Sequence, residues 1–194
     1  MSTTRALPIL RTPDRQAAYD AARQLLDLTV QRDLTEASGF TNALTTTQAR
    51  QMFEAFPHGW GEPTDLDHDL GGDSLRRLFD VGDPQLAELA PFNFRVEEEP
   101  VGSVEEQFLD LVGAAPAWLY WDGFGWPAVP ELGLGPRLHD AMLELILNNR
   151  SLALDRPSDD HTLYVHFRQG DVERAEWLAR QVGLAPIGPV ELGW

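Results

Sequence analysis

The order of apolar periods between residues 117 and 194 constrains the fold of this chain more than any other feature of its sequence. AWLYW (117–121) and TLYVHF (162–167) have the composition of strands, and SLALD (151–155) faces the latter across the polar stretch RPSDDH as a hairpin partner would. Pro136 opens a run whose Leu138, Ala141, Met142, Leu145 and Ile146 share one helical stripe. Val172, Ala175, Leu178, Ala179 and Val182 mark a last helix that stops at Gly183. In the extended LAPIGPVEL that follows, Pro186 and Pro189 permit only an edge strand or an irregular one. The resulting order, βαββαβ, predicts four antiparallel strands with two helices on one face.

Before residue 114 the helical period dominates. Thr12, Pro13 and Asp14 start a helix expected to run to about residue 37, with Ala18, Ala21, Ala22, Leu25 and Leu28 at its spacing and Gly39 beyond its end. Ala49, Met52, Phe53 and Phe56 define a second helix, and short ones are expected at 74–79 and after Pro84. Phe92, Phe94 and Val96 alternate with Asn93, Arg95 and Glu97 as a strand with one wet face. Ser103 with Glu106 reads as a capping box for a helix ending at Gly113. The fold class expected is α+β. A mainly helical region with one strand (1–113) packs on a ferredoxin-like βαββαβ antiparallel sheet (114–194), the two regions being free to share a core.

Two residue types are missing. The chain has no cysteine, which removes disulfides, thiolate nucleophiles and thiolate zinc sites, and all fifteen of its basic residues are arginine, which removes lysine Schiff bases and phosphate-loop lysines. The net charge of −16 is concentrated between residues 61 and 135, where three Arg face sixteen acids. Such a field repels phosphate backbones and anionic lipid heads and attracts basic partners, so direct nucleic-acid and membrane binding are not expected. With no apolar run long enough to span a bilayer and no signal-peptide core, the chain reads as cytoplasmic.

TDLDHDLGGDSLRR is the densest chemical stretch. Asp65, Asp67, Asp69 and Asp73 occupy oxygen-ligand positions of a calcium-binding loop, but Leu70 and Arg76 stand where the sharp-turn glycine and bidentate glutamate belong. That leaves a looser carboxylate set at Asp65, Asp67 and Asp69 for Mg²⁺ or Ca²⁺, with His58 or His68 as acid or base; otherwise no cofactor is expected. LGGDSL (70–75) resembles the attachment motif of peptidyl carrier proteins, which implies a phosphopantetheine on Ser74. The following helix, expected to end by Gly82, is shorter than a carrier requires, and the plainer reading is a Gly71–Gly72 turn with Asp73 capping a short helix. YVHF (164–167) is similar to the end of the RNP1 signature of RNA-recognition motif proteins, but Thr162, His161 and Asp160 replace its aromatic, glycine and basic residue. His161 and His166 are five apart in or beside a strand, face opposite ways and read as surface or hairpin residues.

WLYWDGFGW packs five aromatics into nine residues, and its Asp122-Gly123 pair marks a turn that opens a long Gly- and Pro-rich connection (122–135). Strand phase places Trp118 and Tyr120 on one face and Leu119 and Trp121 on the other. Phe124 and Trp126, with Trp121, are the contact residues expected, and Glu97, Glu98 and Glu99 the steering charges. The function expected is a non-catalytic acidic module of inhibitor, immunity or nucleic-acid-mimic type that recognises a basic protein surface. A metal-dependent enzyme on the aspartate loop and a carrier at Ser74 are the alternatives.

Overall fold

Antiparallel pairing runs unbroken through eight strands. In the computed structural model, which describes residues 4–30, 32–64, 72–84 and 86–193, they are β1 (Thr4–Thr12), β2 (Glu36–Leu44), β3 (Trp60–Pro63), β4 (Phe92–Pro100), β5 (Ala117–Trp126), β6 (Arg137–Leu147), β7 (His161–Arg168) and β8 (Glu191–Leu192). Their order across the sheet is β3-β4-β2-β5-β6-β7-β1-β8. The helices are α1 (Arg15–Leu26), α2 (Thr46–Ala55), α3 (Gly72–Val81), α4 (Leu86–Leu89), α5 (Glu105–Val112) and α6 (Val172–Gln181). The sheet passes through position 113 without a break, since β2 pairs with β5.

Two expectations are overturned. The first 113 residues are not a helical half: they carry four strands, and the helices are spread along the chain. The remainder is not ferredoxin-like, because only a single 3-10 turn (Pro130–Leu132), and no α-helix, joins β5 to β6, and these strands belong to an eight-stranded sheet.

Each misreading has a local cause. Residues 141 and 143–147 are buried on both faces of a central strand, and such a run satisfies helical spacing as readily as strand spacing. Gly39 lies inside β2 rather than after a helix: a Cβ there would stand 2.8 Å from the Phe108 ring, so the missing side chain is what lets α5 sit on the strand. The first helix ends at Leu26, well short of 37. SLALD forms turns, organised by Asn149 Oδ1, which accepts from the N–H groups of Ser151 and Arg156.

Elsewhere the pattern holds. Phe92, Phe94 and Val96 are buried on β4, α2 and α6 lie where periodicity places them, and β8 is an edge strand. The cap of α5 is shifted by one residue. Glu105, not Glu106, turns back, and its buried carboxylate accepts from the N–H of Gly102 at 2.8 Å and from Trp121 Nε1 at 3.1 Å.

The helices cover one face of the sheet. Tyr19, Leu25, Met52, Phe53, Leu75, Phe108 and Leu178 join Leu7, Phe94, Leu119, Trp121, Leu145 and Val165 in one core cluster. On the opposite face Ala6, Ile146, Leu152 and Tyr164 form a small cluster, with Trp118 and Leu154 against it. Among the described residues, most of that second face has no helical layer. No helix among the described residues is long and apolar enough to cross a membrane.

Candidate functional site

Alternation along β5 turns Ala117, Leu119 and Trp121 into the helix-covered core and leaves Trp118 and Tyr120 half-buried on the uncovered face. Registry extends this row across the sheet. Trp118 pairs with Phe40 on β2 and with Ile146 on β6, Tyr120 pairs with Ser38 and Glu144, and Asp122 pairs with Glu36. On β4, Arg95 pairs with both Phe40 and Trp60. Phe40 stacks on Trp118 with centroids 5.2 Å apart and planes at 25°, and Trp118 lies 5.0 Å from Tyr120. Arg95 places its guanidinium 5.6 Å from the Phe40 centroid and 5.3 Å from that of Trp60, and bonds to Glu97 at 3.4 Å.

At one end of the row the carboxylates converge. A bulge in β4 sets Glu98 at φ 58° and lets its N–H donate to Ser38 Oγ at 3.0 Å. The Ser38 hydroxyl also bonds that of Tyr120. Burial, followed by repulsion from Glu36 and Glu98, holds the Asp122 carboxyl above the usual carboxylate range. Burial also raises Tyr120, and Asp122, Glu97 and Glu98 add to it.

Behind them a buried pair is fixed in the sheet. His166 Nε2 meets Glu144 Oε2 at 2.8 Å, with both side chains at 1% exposure or less, while His166 Nδ1 is buried without a partner. A carboxylate only accepts, so Nε2 is the donor. A cavity of about 280 Å³ lies over this part of the sheet, lined by Trp118, Tyr120, Asp122, Met142 and Glu144. It shares Asp122 and Met142 with a cleft of about 650 Å³ that reaches Asp33, Leu34, Phe124, Leu138 and His139.

The expected site residues divide accordingly. Glu97 and Glu98 join the acidic end, whereas Glu99 pairs with Ala37, which belongs to the helix-covered face. Trp121 and Trp126 are fully buried and Phe124 is 3% exposed, so these rings build the core rather than a contact surface, with Phe124 alone reaching a cleft wall. Strand β5 continues past Asp122-Gly123 because that pair makes a bulge, not a turn: at φ 72°, a Cβ on Gly123 would meet Leu34 O at 1.9 Å. His161 and His166 are buried, not superficial; His161 Nδ1 accepts from the Asn148 N–H. The expected metal set Asp65, Asp67 and Asp69 lies outside the described residues, as does the Ser74 side chain, although the backbone there forms the start of α3.

Phe40, Trp60, Arg95, Asp122 and Glu144 were not marked by sequence. Only the wet-face alternation of Arg95 with Phe94 and Val96, and the phase of Trp118 and Tyr120, pointed to this surface. No family model, curated protein or solved structure matches this chain.

Proposed function

We propose that the chain is a non-catalytic binding module whose uncovered sheet face receives a basic segment of another protein, competing in this way for an arginine- or lysine-rich surface. The observation that carries the reading is Asp122, a half-buried carboxylate crowded by Glu36 and Glu98 and flanked by Tyr120. Carboxylates held this close repel one another until a cation arrives, so a basic ligand gains both their attraction and the relief of their repulsion. The aromatic row beside them supplies apolar area of the kind that concentrates binding energy. A sheet face without a covering layer is a recurrent interaction surface.

Tryptophan fluorescence of the full chain, titrated with a hexa-arginine peptide at rising salt, tests this. Saturable binding that weakens with salt and falls at least about tenfold in a Glu97→Gln/Glu98→Gln/Asp122→Asn variant is the expected result. Equal loss in a control with Glu173→Gln and Glu176→Gln on α6, or affinity indifferent to salt, overturns it.

A further inference from the structure

We infer that the 280 Å³ cavity lined by Trp118, Tyr120, Asp122, Met142 and Glu144 is a subsite for a single guanidinium group, the end of one arginine side chain of the partner. This rests on the binding-module reading and adds to it the side chain that the face selects.

The face already contains one guanidinium held in this manner. Arg95 lies within 6 Å of two ring centroids, Trp60 and Phe40, and is bonded to a carboxylate, Glu97. Cation–π attraction and a carboxylate acceptor thus act together on one planar cation. The same row continues through Trp118 to Tyr120, and the cavity there repeats the ingredients: two rings, a thioether and two carboxylates. Among the described residues its lining includes no basic side chain.

The carboxylates differ in a way that favours arginine over lysine. Asp122 is half-exposed at the cavity mouth, whereas Glu144 is 1% exposed and oriented by His166 at 2.8 Å. An ammonium is compact and strongly hydrated, and reaching a buried carboxylate would strip its water. A guanidinium is planar and weakly hydrated, and its five donors can serve both carboxylates while its faces meet rings. The cavity opens into the larger cleft through Asp122 and Met142, where exposed Leu34 and Leu138 offer apolar support for residues flanking the arginine. That continuity is what commits the occupant to a peptide segment rather than a free small cation.

The deciding measurement compares hexa-arginine with hexa-lysine, equal in charge, together with Nα-acetyl-arginine amide. Hexa-arginine is expected to bind about tenfold or more tightly than hexa-lysine, with the free amide far weaker than either. Tyr120→Leu and Glu144→Gln should each bring the two peptides within about twofold while leaving salt-dependent binding to both. Tyr120 is half-buried, so its variant is the more certain to fold, and a thermal melt of each variant checks this. Salt-dependent binding without preference for arginine overturns the subsite and leaves the module standing. Failure of both peptides to bind overturns the module itself. An amide as tight as the peptide assigns the cavity to a free guanidinium compound and overturns the peptide occupant.

Discussion

Glu98 occupies a left-handed backbone conformation at φ 58°, which costs an ordinary L-residue about 1 kcal/mol and which glycine adopts freely. Its carboxylate also crowds Asp122. Glycine relieves both the backbone strain and the crowding of Asp122, so Glu98→Gly is expected to stabilise the fold by about 0.5–1 kcal/mol in urea denaturation while weakening binding of hexa-arginine. Asp122 has a pH signature. Its folded pKa lies above the unfolded value of 3.8, so its favourable contribution is complete below that value and is lost as pH rises through the folded pKa. Asp122→Asn is therefore expected to raise the melting temperature at pH 7, with the difference vanishing near about pH 3. Peptide affinity should rise with pH over the same window, because a bound cation displaces the Asp122 proton; an affinity flat across that window contradicts the assignment of Asp122.

Strand β6 shows where sequence reading stops at the level of the element. Ala141 and residues 143–147 are buried because β5 and β7 flank the strand and core clusters lie on both faces, and that arrangement depends on pairings with residues outside the local window. Local periodicity could not supply it. In β4, by contrast, one face is wet, and the alternation of Phe92, Phe94 and Val96 was legible. Asp122-Gly123 reads from sequence as a turn and is a bulge in the structure, because a turn and a bulge ask the same positive φ of glycine. Leu145→Ala removes a fully buried side chain from the central strand and is expected to cost about 2–5 kcal/mol, measured by urea denaturation. In α2, Thr45 Oγ1 accepts from the Gln48 N–H at 3.3 Å and Gln48 Oε1 accepts from the Thr45 N–H at 3.1 Å, a capping box. Thr45→Ala should cost about 1 kcal/mol by the same measurement, and no change would place the stability of α2 wholly in its apolar face.

For the whole molecule, a net charge of −16 opposes compaction. Raising salt from about 0.01 M to about 1 M shortens the screening length from about 30 Å to about 3 Å. The melting temperature is expected to rise over that range while affinity for hexa-arginine falls, opposite trends from a single cause; parallel trends would detach binding from the acidic face. Composition thus revealed the sign of the field, and registry was needed to find where Glu36, Glu97, Glu98 and Asp122 gather.

Strand β1 is inserted between β7 and β8, with partners drawn from residues 161–168 and 191–192. Ala6, Leu7 and Ile9, all buried in the finished sheet, therefore wait for residues 161–168 before their strand can pair, although α1 can cover Leu7 and Ile9 at once. Until β7 has been made, the unpaired edges of β1 are an adhesive ribbon, and the crowded acids of residues 61–135 help keep neighbouring nascent chains apart.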